Sequence, residues 1–255
     1  MCGRFSLLAN AHAIELFFEL AELEIQVVPR YNIAPSQPIL MVMAGPGADP
    51  DERKNMPDRK AMLVRWGLLP SWVKDPRDFP MLINARSETA NEKASFRASM
   101  RHRRTLVPAS GFYEWQREGR SKPQAYWVRP RNGELVAFAG LTDTLLAVDG
   151  SEIDTGAILT TGANEEFAPI HHRMPVVIRQ RDFARWLDCR TQEPRDVDDL
   201  LQPVEPGFFE AVPVSSLVNK VANVGPQVQE RVEPEPETEN SDKDEGGQMS
   251  LFGSG

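Results

Sequence analysis

The second residue of the chain is a cysteine, and an initial methionine is removed when a small side chain such as this follows it. Removal of Met1 would leave Cys2 with a free α-amine beside its thiol, a 1,2-aminothiol. Such a pair attacks an aldehyde first through nitrogen and then through sulfur, and closes a five-membered thiazolidine ring. In an unstructured peptide the amine has a pKa of roughly 7.7–8.0 and the thiol one of about 8.5, so both are partly deprotonated near neutral pH. Many chains begin with this dipeptide, so the alternative is a cysteine without a chemical role.

Polar residues recur at five places where a strand-rich core would otherwise be apolar. The five patches are CGRF at 2–5, YNIAP at 31–35, NARSE at 84–88, GFYEW at 111–115 and HHRMP at 171–175. Together they resemble the motifs of the SRAP-domain family, the SOS-response-associated peptidases that shield abasic sites in DNA. The resemblance covers about residues 2–224, and five motifs in the same order make it specific.

The resemblance implies a role for one residue in each of four motifs. Cys2 matches the family's crosslinking cysteine, and Asn84 matches the asparagine that orients the reacting sugar. Glu114 matches the acid/base carboxylate, and His171 matches the family's histidine. The family usually shows an acidic residue where His172 stands, which leaves open which of the two imidazoles faces the site.

The chemistry available to these side chains agrees with the resemblance. An abasic site exposes an aldehyde once its sugar ring opens, and opening moves a proton from the C1 hydroxyl to the ring oxygen. A carboxylate and an imidazole beside one amine can carry that proton and the one that dehydrates the carbinolamine. Because Glu114 lies between two aromatic residues on a predicted strand, we expect burial to raise its pKa. The structural alternatives are a salt bridge for Glu114, a packing role for His171 and a turn for Asn84.

Arginines and tryptophans in or near the motifs indicate contact with DNA. The resemblance implies that Arg4, Arg86 and Arg173 bind phosphates, for which planar guanidinium groups are suited. Trp66 and Trp72 are candidates for stacking on unpaired bases, with a core position as the alternative for Trp66. No base-reading module is recognisable, so the expected partner is single-stranded or junction DNA that contains abasic sites, recognised through backbone and lesion.

The C-terminal residues carry a separate signal. Residues 227–255 hold eight acidic and two basic side chains, a net charge of −6 out of −8 for the chain. This composition predicts a disordered acidic linker over residues 227–247. Gln248, Leu251 and Phe252 then match the pattern of the bacterial sliding-clamp-binding pentapeptide at 248–252. The replication clamp is therefore a predicted partner, with a chance match as the alternative.

The elements that must position the motifs are short strands with few helices. Apolar runs predict strands at 38–44, 61–66, 104–108, 125–129, 135–141, 157–161, 175–178 and 209–213, and helices at 12–23, 91–102, 181–187 and 196–201. The polar, proline-containing stretch 45–60 predicts a hairpin insertion. The pattern indicates an α+β fold, a single domain over residues 1–226 built on a curved, largely antiparallel, barrel-like sheet.

Composition excludes several classes of protein. Two cysteines are too few for a disulfide framework, and the four histidines show no metal-ligand spacing, so we expect no metal and no cofactor. No apolar run is long enough to span a membrane. We expect a cytoplasmic, nucleoid-associated monomer that crosslinks to abasic sites. The alternatives are an N-terminal-nucleophile cysteine peptidase or amidohydrolase and a non-catalytic binder of modified DNA.

Overall fold

The computed structural model describes residues 2–46, 58–147 and 149–234. Most of the predicted hairpin insertion, the predicted linker beyond residue 234 and the predicted clamp-binding segment lie outside the described residues. Within the described ranges the chain forms thirteen β-strands, four α-helices and several 3-10 helices.

The strands form two sheets. The first contains, in spatial order, β13 (Phe209–Val214), β8 (Gln124–Pro130), β7 (Gly111–Gln116), β1 (Phe5–Leu7) and β2 (Arg30–Ile33). The second contains β3 (Pro38–Ala44), β4 (Arg59–Trp66), β5 (Asn84–Arg86), β6 (Arg104–Ala109), β9 (Val136–Leu146), β10 (Glu152–Gly162), β11 (Arg173–Pro175) and β12 (Val177–Ile178). The predicted α+β class with mostly antiparallel strands is confirmed.

Five strands of the second sheet close into a barrel. The order is β4, β3, β6, β9 and β10, and β10 pairs back onto β4 in parallel, whereas the other four pairings are antiparallel. The side chain of Met41 fills part of the space that this closure encloses. A Cβ atom at Gly156 would overlap the end of the Met41 side chain and lie 3.1 Å from a Val64 methyl group, so the glycine leaves room for both where β10 passes them.

The helices are shorter than the sequence predicts. Helix α1 (Ala11–Phe18) begins at Asn10, whose side chain accepts from the Ala13 N–H at 2.9 Å, and it ends where Glu19 adopts a φ of 52°. The predicted extension of this helix to residue 23 is therefore wrong. The remaining helices are α2 (Ser87–Ala90), α3 (Arg97–His102) and α4 (Phe183–Leu187), and the predicted helix at 196–201 is a 3-10 helix over Pro194–Leu201.

Two features of the fold go beyond what the sequence predicts. Arg104, the first residue of the predicted strand 104–108, is buried and donates to four backbone carbonyls near α3 and α4, those of Met100, Trp186, Asp188 and Gln192. The predicted domain boundary at residue 226 falls inside a folded segment, since Pro226–Gln229 is a 3-10 helix and Val228 is completely buried.

Among the described residues, no helix has the length and apolarity needed to cross a membrane.

Candidate active site

The pairing of β1 with β7 places the start of the chain alongside Glu114. The Tyr113 backbone N–H donates to the Arg4 carbonyl at 2.9 Å, next to this antiparallel ladder. Cys2 is fully buried, and its thiol contacts the same carbonyl at 3.8 Å. Burial, followed by the negative charge of Glu114, raises the pKa of the Cys2 thiol. The thiol is therefore protonated until a base takes its proton.

Glu114 lies in the middle of β7 with 3% of its surface exposed. Burial raises the pKa of its carboxyl group, because the charged form loses hydration that the neutral acid does not need. The positive charge at the amino terminus opposes this rise, and the same charge contributes to the lowered pKa of His171. The pKa values of Cys2, Glu114 and His171 all respond to the charge of the α-amine, and that of Cys2 also responds to Glu114. The three side chains therefore lie within electrostatic range of the same α-amine.

Asn84 is the first residue of β5, which pairs in parallel with β10 at Ile158. Its Nδ2 donates to the Ile158 carbonyl at 3.4 Å. Its Oδ1 is buried and accepts no hydrogen bond from the described residues. A buried amide oxygen without a donor is costly, so this atom is suited to accept a hydrogen bond from a bound molecule. The alternative that Asn84 is a turn residue is wrong.

His171 precedes β11 and is held by main-chain atoms of Arg173. The Arg173 backbone N–H donates to His171 Nδ1 at 2.9 Å. The same Nδ1 lies 3.1 Å from the Arg173 carbonyl oxygen, so the main chain of Arg173 fixes the position of the ring whichever nitrogen carries the proton. Burial lowers the pKa of His171 to about 4, so the ring is neutral at pH 7. The exposed His172 stacks on it with the ring centroids 4.4 Å apart, which makes His171 the more enclosed of the two.

Two of the three predicted phosphate-binding arginines are already hydrogen-bonded within the protein. Arg4 donates through Nη1 to Asn32 Oδ1 at 2.9 Å and to the Val218 carbonyl at 2.7 Å, and through Nη2 to the Asn219 carbonyl at 3.1 Å. Arg173 is 9% exposed and binds Glu88 through both Nη atoms. Phosphate contact by either arginine is limited to the N–H groups that these bonds leave.

Arg86 differs from these two arginines because it is exposed. It ends β5, two residues beyond Asn84, so its side chain extends from the same short strand as a predicted sugar-binding group. The pKa of the nearby Glu88 carboxyl is lowered mainly by the hydrogen bond from Arg173. The positive charge of Arg86 contributes a smaller part of this shift. Of the three arginines, Arg86 is the one most accessible to a phosphate.

Asn32 is a residue of the site region whose role sequence reasoning missed. It is 3% exposed, accepts from Arg4 and donates through Nδ2 to the carbonyls of Val218, Lys220 and Asn223 at 3.0–3.2 Å. A buried asparagine thereby fastens the segment 218–223 to the strand that follows the amino-terminal region. The signal in the sequence was its place in the YNIAP patch, which matched a motif of the family without indicating a role for any of its residues.

The aromatic residues of the GFYEW patch contribute to the same attachment. Trp115 Nε1 donates to Asn219 Oδ1 at 2.7 Å, and Gln229 Nε2 donates to the Tyr113 hydroxyl at 2.8 Å. The residues on either side of Glu114 therefore hold the C-terminal part of the described chain against the site.

The two tryptophans predicted to contact DNA have opposite environments. Trp66 is completely buried, donates through Nε1 to the Ile83 carbonyl at 2.9 Å and packs edge-on against Phe5. The prediction that Trp66 stacks on a base is therefore wrong, because the barrel core covers its ring. Trp72 has 56% of its surface exposed and packs edge-on against Phe79, so it is available to a ligand.

A cavity of about 900 Å³ lies elsewhere in the molecule, and its lining includes Arg59, Met62, Arg103 and Cys189. None of Cys2, Asn84, Glu114 or His171 lines it. In the described part of the chain, no cluster of three or more His, Cys, Asp or Glu side chains is suited to hold a metal ion. The chemical groups of the site are thus a thiol, a carboxyl, an imidazole and an amide, supplied by the chain itself.

Comparisons with known proteins identify a family model and several relatives that are similar to this chain. The family model described as SOS response associated peptidase (SRAP) matches residues 1–221. The abasic site processing protein YoqW of Bacillus subtilis (strain 168) is 35% identical over 230 residues, which cover 89% of this chain and 98% of that protein. The abasic site processing protein HMCES of Gallus gallus is 32% identical over 224 residues, 78% of this chain and 65% of that protein. A crystal structure of a protein from Bacteroides thetaiotaomicron superimposes with a TM-score of 0.77 at 25% identity and covers 91% of this chain and 100% of that one.

Proposed function

Since the chain belongs to the SOS response associated peptidase (SRAP) family, we propose that it processes abasic sites in DNA by forming a covalent crosslink through Cys2. The observation that carries this proposal is the buried Cys2 thiol beside a buried carboxyl of raised pKa at the amino terminus. An internal cysteine lacks the α-amine that the reaction needs, so the proposal requires removal of Met1.

The proposed reaction joins one aldehyde to one aminothiol with loss of one water. The α-amine of Cys2 adds to the aldehyde carbon to give a carbinolamine. Protonation of its hydroxyl releases water and leaves an imine. The Cys2 sulfur then adds to the imine carbon as the thiol proton leaves and the imine nitrogen becomes an amine, which closes the thiazolidine ring. No electrons are gained or lost, so the reaction needs no redox partner.

Glu114 is suited to move the protons in this sequence. A carboxyl whose pKa burial has raised can donate to the carbinolamine hydroxyl and then, as a carboxylate, accept the thiol proton of Cys2. The raised pKa of the thiol makes such a base necessary. Groups that transfer protons in this way contribute on the order of 10²–10⁴-fold to a rate.

His171 and Asn84 are suited to hold the sugar. With Nδ1 held by the main chain of Arg173, the neutral His171 is proposed to exchange a hydrogen bond through Nε2 with a sugar oxygen during ring opening. The buried Asn84 Oδ1 accepts no hydrogen bond from the described residues and is free to accept one from a sugar hydroxyl. Both groups act without a change in their own charge.

Contact with the rest of the DNA strand is assigned to exposed groups. Arg86 is proposed to bind a phosphate next to the lesion, with Arg4 and Arg173 contributing the N–H groups that their internal hydrogen bonds leave. Trp72 is proposed to stack on an unpaired base. Groups of this kind recognise backbone and lesion rather than base sequence, which fits single-stranded DNA or a strand junction.

The experiment uses a single-stranded oligonucleotide with one abasic site, incubated with the protein and separated on a denaturing gel. The wild-type protein is expected to give a stable adduct without reduction, and DNA lacking the abasic site is expected to give none. Cys2→Ser should form only an imine that borohydride traps, whereas the control Cys189→Ser should crosslink like the wild type. A stable unreduced adduct from Cys2→Ser would contradict the thiazolidine.

A second arm separates the proposal from an N-terminal-nucleophile peptidase. A retained N-terminal tag turns the amine into an amide and is expected to abolish crosslinking. A peptidase or amidohydrolase would instead turn over a small amide substrate in the absence of DNA, and hydrolysis that depends on Cys2 would favour that alternative.

The segment 248–252, which lies outside the described residues, is proposed to bind the bacterial sliding clamp and so to keep a monomeric protein near replicating DNA in the nucleoid. Leu251 and Phe252 provide an apolar anchor on an acidic linker, and Gln248 a polar contact. The affinity of a peptide over residues 244–255 for the clamp is expected to be on the order of micromolar. Calorimetry tests this, with a peptide in which both anchor residues are alanine as the control. Equal heats from the two peptides would contradict the proposal.

A further inference from the structure

Glu88 adjoins the site but has no role in the reaction proposed above. It lies in the first turn of α2, directly after β5. Its Oε1 accepts from Arg173 Nη1 at 2.6 Å and its Oε2 from Arg173 Nη2 at 2.9 Å. Arg173 Nη2 also donates to the Thr160 carbonyl at 2.5 Å. The arginine side chain is 11% exposed and that of the glutamate 51%.

This ion pair joins two segments that flank the same barrel strand. β5 pairs with β10 at residues 158–160, and β11 pairs with β10 at residues 160–162. β5 carries Asn84, and the residue pair before β11 carries His171. Each segment pairs separately with β10, and the ion pair between Glu88 and Arg173 connects the two segments directly. A three-residue strand on its own is held by few hydrogen bonds, so a bidentate bond adds substantially to its positioning.

The main chain of Arg173 is what fixes the imidazole. Its backbone N–H lies 2.9 Å and its carbonyl oxygen 3.1 Å from His171 Nδ1, so two main-chain groups of Arg173 hold the orientation of the ring. The side chain of the same residue is anchored by Glu88. Because one residue makes both sets of contacts, loss of the side-chain bonds to Glu88 is expected to loosen the main-chain groups of Arg173 that orient His171.

We propose that Glu88 is a positioning residue, which holds Arg173 so that its main chain keeps the His171 ring in the orientation that the reaction needs. This inference rests on the proposed crosslinking function for its kinetic consequence, but its structural consequence is independent of that function. The negative charge of Glu88 also compensates a guanidinium that is nearly buried, whose charge would otherwise be left without a counter-ion.

The test compares Glu88→Gln and Glu88→Asp with the wild type. Glutamine directs an NH₂ group at one guanidinium N–H, so one of the two hydrogen bonds is lost, whereas aspartate keeps the charge on a shorter side chain. Crosslinking by Glu88→Gln is expected to slow about tenfold to a hundredfold, as when groups that orient metal-bound histidines are removed. Glu88→Asp is expected to recover part of the rate. Affinity for intact single-stranded DNA should not fall in either variant.

A spectroscopic readout separates positioning from a general loss of structure. In ¹⁵N NMR spectra of the DNA-free protein, the two ring nitrogens of His171 report which of them carries the proton. The wild type is expected to show a single protonated ring nitrogen, and Glu88→Gln a mixture of the two tautomers. The control is Glu205→Gln, which breaks another arginine–glutamate ion pair, one in which Arg179 Nη2 alone donates to both carboxylate oxygens and the glutamate is exposed. That variant should keep both the wild-type rate and the wild-type His171 signal.

A wild-type crosslinking rate and an unchanged His171 signal in Glu88→Gln would overturn the inference. If Glu88→Gln does not fold, Arg173→Lys carries the test, because lysine keeps the charge and the backbone N–H but lacks the two-pronged guanidinium. An unchanged tautomer in that variant would overturn the inference as well. If the wild type forms no crosslink at all, the proposed function fails, while the NMR comparison still decides the role of Glu88.

Discussion

Asn32→Ala is expected to lower the free energy of unfolding by about 2.5–4 kcal/mol. The side chain accepts a charge-assisted hydrogen bond from Arg4 at 2.9 Å, a type of bond that contributes about 1.5–3 kcal/mol. Nδ2 contacts three carbonyls at 3.0–3.2 Å but has two hydrogens, so it makes two full bonds of about 0.5–1.5 kcal/mol each. The bonds sum to about 2.5–6 kcal/mol. Water that enters the vacated space can bond to the Arg4 guanidinium and to some of the carbonyls, so we expect a loss in the lower half of that range.

The assay is equilibrium unfolding in urea followed by tryptophan fluorescence, with limited proteolysis of the native state. The midpoint should fall while the slope with urea stays constant, since the folded core is the same. Cleavage within 218–223 should become faster, because the carbonyls of that segment lose their anchor. Crosslinking should also slow, since Arg4 adjoins the Cys2 region that the reaction uses.

The control is Asn132→Ala, which removes an asparagine from an exposed turn. Its side chain bonds only to Glu134 in the described structure, and its replacement is expected to change the free energy of unfolding by less than about 0.5 kcal/mol. A loss below about 1 kcal/mol for Asn32→Ala, or a loss equal to that of the control, would refute the view that Asn32 fastens the C-terminal segment.

Three further expectations concern the site. Trp72→Ala should weaken binding to undamaged single-stranded DNA by about 1–3 kcal/mol for one stacked base, measured by fluorescence anisotropy, and Leu16→Ala, which removes another exposed side chain, should not. Glu114→Gln should slow crosslinking by about 10²–10⁴-fold in gel time courses while DNA affinity is retained, and a wild-type rate would contradict its role in proton transfer. Because burial lowers the pKa of His171 to about 4 from 6.5, the unfolded state binds more protons in that interval, and stability should fall as the pH drops from 6.5 towards 4. Urea unfolding at both pH values should show a smaller fall in His171→Asn.

The sequence predicted the barrel strands because they are long apolar runs. It predicted 38–44 to the residue and the bounds of β4, β6, β8 and β13 to within about two residues. The runs for β9 and β10 miss about five residues at one end, and the run 175–178 falls across β11 and β12. It missed β1, β2 and β5, which are only three or four residues long and so show no clear periodicity. Their strand conformation depends on partners far along the chain, as when Asn84 pairs with Ile158, and local periodicity carries no record of such pairing.

The site residues were predictable by type but their partners were not. The raised pKa expected for Glu114 follows from its flanking aromatic residues, and the structure agrees. The internal bonds of Arg4 and Arg173 span 214 and 85 residues, so no local pattern distinguishes them from arginines that face a phosphate. Trp66 likewise became a core residue because the barrel closes over it, which depends on the pairing of β4 with β10.

The most direct test of the central claim is the intact mass of the complex formed with abasic single-stranded DNA. The account predicts a mass equal to that of the protein without Met1 plus that of the oligonucleotide, less one water, and peptide mapping that places the modification on Cys2. The adduct should form without a reducing agent and be absent with Cys2→Ala. An unmodified protein mass after incubation, or an adduct that retains Met1, would contradict the claim.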